Sequence, residues 1–126
     1  MILLNTSLIR KTTLFLVATI FSLSSFALDF NQTQRLANQG NASAQYNLGL
    51  KYFKGEGVRQ DYNKAFDLYQ KAANQGYAGA QNNLGLMYSR GNGVLQNYIS
   101  AKELFKKSCD NGYQYGCNNY RIFNRR

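Results

Sequence analysis

The chain has no histidine, only six aspartates and glutamates, and two cysteines among its 126 residues. Each shortage removes a class of chemistry. Without histidine no Ser-His or Cys-His nucleophilic pair can be assembled, and general acid–base catalysis loses its commonest side chain. A zinc ion asks for about four Cys, His or carboxylate ligands, so the two cysteines make a poor metal site. No metal and no cofactor is expected. The length leaves room for one small domain.

The N-terminal stretch MILLNTSLIRKTTLFLVATIFSLSSFA sets the compartment. Arg10 and Lys11 precede an apolar run from Leu14 to about Leu23, and a short polar stretch ends in small residues at Ser25 and Ala27. That is the order of a secretory signal peptide, with cleavage expected between Ala27 and Leu28. The apolar run is shorter than the roughly 18 to 20 residues that span a bilayer, so no stable membrane insertion is expected after cleavage. Residues 1–27 therefore fall outside the folded part. A cysteine pair exported to an oxidising compartment, periplasmic or extracellular, defaults to a disulfide.

Charge narrows the function less. Of the formal +9, Arg10 and Lys11 leave with the signal segment, and the remaining basic residues are spread along the chain, clustering only at Arg121, Arg125 and Arg126. Such a surface favours anionic partners or simply stays solvated. Nucleic acid is not expected, because no basic stripe accompanies a recognisable module.

Self-similarity is the strongest signal. At a shift of 36, Gly40 falls on Gly76 and Gly112, and ASAQYNLGLKYFKGEGVRQDYNKAFDLYQKAANQG overlays AGAQNNLGLMYSRGNGVLQNYISAKELFKKSCDNG. A period in the 20 to 50 range marks a stacked architecture. In the first half of each copy Ala44, Leu48 and Tyr52, like Ala80, Leu84 and Tyr88, form one helical stripe. Gly49 and Gly85 lie beside it as contact points for another helix, against a propensity cost of about 1 kcal/mol each. Gly55 to Val58 and Gly91 to Val94 read as a helix stop and turn. A phosphate loop is the weaker reading, since the glycines end a helix instead of opening one. In the second half Tyr62, Ala65, Leu68 and Ala72, matched by Tyr98, Ala101, Leu104 and Ser108, share a face, with Asp61 and Asn97 at the N-cap positions. Each copy is helix, glycine turn, helix, and the short connections make the pair antiparallel.

The pattern AxAQxNLGLxYxxGxGVxQ(D/N)YxxAxxLxxK resembles the Sel-1-like repeat, a relative of the tetratricopeptide repeat, over nearly all of Ala42 to Gly112. The resemblance implies an all-α fold, an α/α solenoid of stacked antiparallel hairpins that serves as a protein-binding scaffold. The expected organisation is a partial helix or cap over 28–41, repeats over 42–77 and 78–113, and a capping helix over 114–126. At that last helix Tyr120 replaces the repeat's Leu and Arg121 its Gly. Both ends read as caps that meet water.

Cys109 stands where the earlier copy has Ala73, and Cys117 where it has Gln81. They lie four residues either side of Tyr113, across a hairpin turning near Gly112, at a separation a disulfide can bridge. The resemblance extends to the secreted cysteine-rich group named for Helicobacter, which bridges its repeats serially. Only the last junction carries a pair here.

If Leu48 and Tyr52 are the packed side of the first helix, its opposite side carries Ser43, Tyr46, Asn47, Phe53 and Lys54. The second copy places Asn82, Asn83, Ser89 and Arg90 there, and the third Asn118. Tetratricopeptide repeats, which the chain resembles, line a concave groove with these first helices, which makes this the expected partner-binding groove. Its asparagines, tyrosines and basic groups suit an extended peptide with acidic or amide groups. Leu50 and Leu86 lie on the same side, so part of it must be buried. The expectation is a monomeric binding scaffold without enzymatic activity. The alternative implied by the cysteine-rich group, β-lactam binding or hydrolysis, finds no Ser-x-x-Lys here and a Lys-Thr-Thr only inside the signal segment. Structural support of the cell envelope is a third reading.

Overall fold

The computed structural model describes residues 6–125, so Met1 to Asn5 of the expected signal segment and Arg126 of the basic terminus lie outside it. Among the described residues there are six α-helices and no strand: α1 (Thr6–Asn38), α2 (Ala42–Lys54), α3 (Tyr62–Asn74), α4 (Ala78–Arg90), α5 (Tyr98–Asp110) and α6 (Gln114–Asn124). The chain forms two compact units, one ending at Gln32 and one running from Thr33 to Arg126.

The first unit is helical. Its threonines bond back along the helix, Thr13 Oγ1 donating to the Ile9 carbonyl at 2.7 Å, and its apolar side chains from Leu14 to Val17 are exposed. No helix among the described residues is long and apolar enough to cross a membrane. The helix continues without interruption past Ala27 and Leu28, both exposed, where cleavage is expected.

The second unit is the expected stack of hairpins. The turn chemistry is as the sequence implies: Asp61 accepts from Lys64 N at 3.0 Å and Asn97 from Ile99 N and Ser100 N at 3.1 Å, each capping the helix that follows it. Gly55 and Gly91 close α2 and α4 in the left-handed conformation, at φ 71° and 72°, where a side chain would be strained.

The core lies where α3 meets α4, built on Ala65, Tyr69, Ala72, Ala73, Ala80, Leu84 and Met87. One detail corrects the expected stripe. Tyr69 and Phe105, at 1% and 0% exposure, are the large buried side chains of α3 and α5, whereas Leu68 and Leu104 are only half-buried. The inward line of α3 thus runs through Ala65, Tyr69, Ala72 and Ala73, one position round the helix from the face chosen by the leucines.

Gly49 and Gly85 explain how those rings fit. A Cβ on Gly85 would stand 2.7 Å from Phe105 Cε1 and 3.2 Å from the Ala101 carbonyl, and one on Gly49 would stand 2.7 Å from Tyr69 Cε1. Each glycine is a slot for the aromatic ring of the second helix of its own hairpin.

The hairpins are joined by a recurring clamp. Gln45 and Gln81, both buried, donate from Nε2 to the carbonyls of Ala37 and Ala73 at 3.2 Å. Their Oε1 atoms accept from Gln75 and Asn111, each at 2.8 Å. At the last junction the same two positions hold Cys109 and Cys117, which form a disulfide with Cα atoms 4.4 Å apart. Ser108 and Gly116 flank it. A Cβ on Gly116 would lie 2.6 Å from Ser108 Cβ, so the glycine lets α6 settle close against α5.

Two outcomes follow from this packing. Replacing both cysteines by serine is expected to remove about 2 to 3 kcal/mol of stability, with hydrogen exchange accelerating over 114–124 while the α2–α3 hairpin keeps its protection. Gly85→Ala, which by helix propensity alone would gain up to about 1 kcal/mol, is expected instead to cost about 1 to 3 kcal/mol by overpacking Phe105, visible as a lower urea midpoint.

Candidate functional site

The first helices of the hairpins present two neighbouring depressions. The smaller, about 200 Å³, has Leu50, Phe53 and Lys54 of α2 on one side and Asn83, Leu86 and Arg90 of α4 on the other, with Tyr69 of α3 beneath. The larger, about 380 Å³, is lined by Tyr46, Tyr77, Ala78, Gly79 and Tyr113. Tyr46 links them, its ring 5.9 Å from that of Tyr69 and 5.0 Å from that of Tyr77.

The small niche is apolar in its walls and cationic at its rim. Lys54 and Arg90 are the last residues of α2 and α4 and are exposed, and no carboxylate lines the niche. Lys54 lies 3.5 Å from Glu56 on its own loop, an exposed pair that holds the side chain only weakly.

Beneath that rim is an uncompensated polar group. The Tyr69 hydroxyl is buried and makes no hydrogen bond. Burial pushes it far above the usual phenol range; Asn83, whose amide stands close enough to offset part of the shift, does not complete a bond to it. Buried hydroxyls in native proteins nearly always find a partner, and leaving one unmade costs about 1 to 3 kcal/mol. The matched position in the next repeat, Phe105, is equally buried and carries no hydroxyl, so packing in this slot does not require one. The Tyr46 hydroxyl is raised too, mainly by burial and then by the neighbouring Tyr113 and Tyr77.

The expected groove residues divide into three groups. Phe53, Lys54, Asn83 and Arg90 meet around the niche, and Tyr46 lines the larger depression. Ser43, Asn47 and Asn118 are exposed, and Asn118 accepts from Gln114 along its own helix at 3.2 Å. Asn82 and Ser89 are taken up by the fold. Asn82 is 4% exposed and accepts from Asn119 Nδ2 of α6 at 2.8 Å, while Ser89 donates to the Leu86 carbonyl at 2.8 Å. Tyr69 is the residue that reading α2 and α4 alone misses. Its signal is the Tyr-for-Phe difference between positions 69 and 105.

Known proteins fit this geometry. The Sel1 repeat matches residues 42–77 and again 78–113. The chain belongs to the Sel1 repeat family. Its solenoid is similar to a Sel1 repeat protein from Oxalobacter formigenes (31% identity, TM-score 0.72, covering 76% of this chain and 40% of that one). It is also similar to the protective antigen c5321 present in uropathogenic Escherichia coli strains (33% identity, TM-score 0.74, 76% of this chain and 21% of that one). Cysteine rich protein B of Helicobacter pylori shares 27% identity at TM-score 0.67, over 71% of this chain and 67% of the other. This Sel1 repeat chain thus spans less than half the length of the first two. No curated protein matches it by sequence. Sel1 repeats are generally non-enzymatic scaffolds typical of protein–protein interaction, and the disulfide and the resemblance to the Helicobacter protein are consistent with an extracytoplasmic setting.

Tyr69→Phe separates a structural hydroxyl from a functional one. Unfolding in urea is expected to show unchanged or slightly raised stability, against the loss of about 1 kcal/mol or more that removing a made hydrogen bond brings.

Proposed function

We propose that this Sel1 repeat protein is exported to the periplasm or beyond and binds a partner protein through the face shared by α2 and α4. The ligand is an extended, acidic segment. One of its apolar side chains enters the niche between Leu50, Phe53 and Leu86, a carbonyl or carboxylate oxygen accepts from Tyr69, and flanking acids meet Lys54 and Arg90. The buried hydroxyl without a partner carries this reading: a donor kept dry below an apolar niche is satisfied when a ligand supplies the acceptor. The cationic rim adds orientation and faster encounter more than affinity. The tyrosines of the larger depression offer broad, stiff contact area at low entropic cost for the segment's continuation.

Photo-crosslinkers at Ser43 and Asn47, with Lys71 on α3 as the reverse-face control, test the proposal in cells expressing the protein. Adducts are expected from the first two positions only, on protein whose N-terminus begins at Leu28. Lys54→Glu with Arg90→Glu is expected to lower the yield about tenfold, and Tyr69→Phe to lower it without loss of fold. Equal capture from Lys71 would sink the groove reading, and an intact N-terminal segment would sink export by cleavage.

A further inference from the structure

The two glycine turns share one scaffold and display different side chains. In the first, Gln60 Nε2 donates to the Phe53 carbonyl at 2.8 Å and to the Tyr62 hydroxyl at 3.3 Å; in the second, Gln96 Nε2 donates to the Ser89 carbonyl at 2.8 Å and to the Tyr98 hydroxyl at 2.9 Å. The next backbone N–H closes the same bond in both, Asp61 to the Tyr52 carbonyl and Asn97 to the Tyr88 carbonyl, each at 2.9 Å. What the scaffold carries outward differs. The first turn and helix start hold Glu56, Arg59, Asp61, Asn63 and Lys64, and the matched residues are Asn92, Leu95, Asn97, Ile99 and Ser100. All four charges have gone, and an arginine and an asparagine have become large aliphatic residues. Val94 packs on the core, whereas Leu95 is 89% and Ile99 75% exposed, with Tyr98 about half exposed beside them. Arg59 and Asn63 are exposed too, although α4 packs on the hairpin that carries them. Exposure at these two positions is therefore a property of the turn.

We propose that the turn between α4 and α5 rests on an anionic membrane surface, with Leu95 and Ile99 at the boundary between headgroups and acyl chains. The inference is independent of the groove, none of whose residues lies between Gly91 and Ile99. A single exposed leucine needs no explanation, but two aliphatic side chains and a tyrosine on a turn stripped of charge form a patch of the kind that marks an interaction site. Three features select a lipid surface as the occupant. First, losing every charge, both carboxylates included, removes the cost of carrying them into an apolar layer. Second, cations adjoin the patch. Ile99, Lys102 and Lys106 recur at i, i+3 and i+7 on one face of α5 and border a single open depression with Tyr98, where the first repeat has Phe66 and Gln70 in place of the lysines. Glu103 borders it as well, and Asp110 takes Lys106 at 2.8 Å in an exposed pair, so Lys102 is the principal local cation. Beyond it acts the whole chain's formal +9, of which Arg10 and Lys11 supply only two. That field draws the protein to anionic headgroups and sets two copies of the chain against each other. Third, Tyr98 has the amphipathic ring that settles at headgroup level. Such a contact lies on the bilayer and does not span it.

Paired fluorescent probes on the whole chain test this, with the Cys109–Cys117 disulfide kept closed and circular dichroism confirming the helix content of every variant. Leu95→Cys and Arg59→Cys each carry an environment-sensitive nitrobenzoxadiazole dye at matched positions of the two turns. With vesicles of phosphatidylglycerol and phosphatidylcholine in equal parts, the dye at 95 is expected to shift to the blue and to be quenched by nitroxide-bearing lipid. The dye at 59 is expected to keep its emission in water, and phosphatidylcholine alone is expected to shift neither. A contact made through the apolar side chains of α1 would leave both dyes in water, so the signal belongs to the turn. Titrated through the dye at 95, Ile99→Asn is expected to weaken vesicle binding about tenfold, and Lys102→Gln about fivefold. Both sites are on the surface, and Ile99→Asn installs the residue that the first turn already carries. A dye at 95 that stays in water, or an equal shift at 59 or with phosphatidylcholine alone, would overturn the proposal. So would a shift at 95 produced by soluble envelope proteins and not by vesicles, which would assign the turn to a protein partner.

Discussion

Everything in the array depends on how each second-type helix is held to the first-type helix of the next hairpin. The hold is a buried side chain reaching back eight residues. Gln45 and Gln81 make it with hydrogen bonds, donating to a buried carbonyl in the last turn of the preceding helix and accepting from the residue that closes the helix 30 positions later. A buried amide is tolerable only with both ends satisfied, so each glutamine requires the helix end before it and the end of the second helix of its own hairpin. At the junction of α5 with α6 the tie is covalent instead. The disulfide of Cys109 and Cys117 occupies the same two positions and asks for nothing beyond them. The staple puts one covalent bond where the earlier junctions use hydrogen bonds.

The second constraint is the glycine slot, and it connects packing to the candidate site. Gly49 lets the Tyr69 ring press against the α2 backbone, which brings its hydroxyl up beneath Leu50 and Phe53 on the groove side of the hairpin. The same slot in the second repeat takes Phe105, whose ring packs against Phe123 of α6 at 5.0 Å. One ring therefore lies wholly within the packing, and the other lies in the core with its oxygen beneath the niche. The energetic penalty of that dry oxygen falls on folding, and a ligand that supplies an acceptor recovers it.

Much of this was legible in the sequence because repetition doubles every signal. The period, glycine stops, Asp61 and Asn97 caps, helical ends and cysteine pair all follow from residue type and spacing. The inward phase of α3 did not, because Leu68 and Tyr69 are adjacent and differ by only about 100° around the helix. Hydrophobicity favours the leucine, while the depth of the glycine slot opposite selects the ring. Asn82 was placed on the groove for a related reason. The amide of Asn82 is short enough to turn into the stack, where it accepts from Asn119 of α6. Its counterpart Tyr46 stays half-buried and lines a depression. Matched positions in a repeat diverge in exposure with the side chain each carries, which a single copy of the motif does not encode.

The position of the staple then follows from how α6 is held. Stability in a stacked array is close to a sum of terms between neighbours, and α2 and α4 each gain from an aromatic ring seated in their glycine. Helix α6 carries Arg121 at the position matched to that glycine. Its hold on the rest is Gly116 settled against Ser108, Phe123 on Phe105, and the Asn119 bond to Asn82. Those contacts all lie on one side of an 11-residue helix, a length that has little stability of its own in water. A covalent tie in the first turn, at Cys117, limits fraying where the helix joins the array.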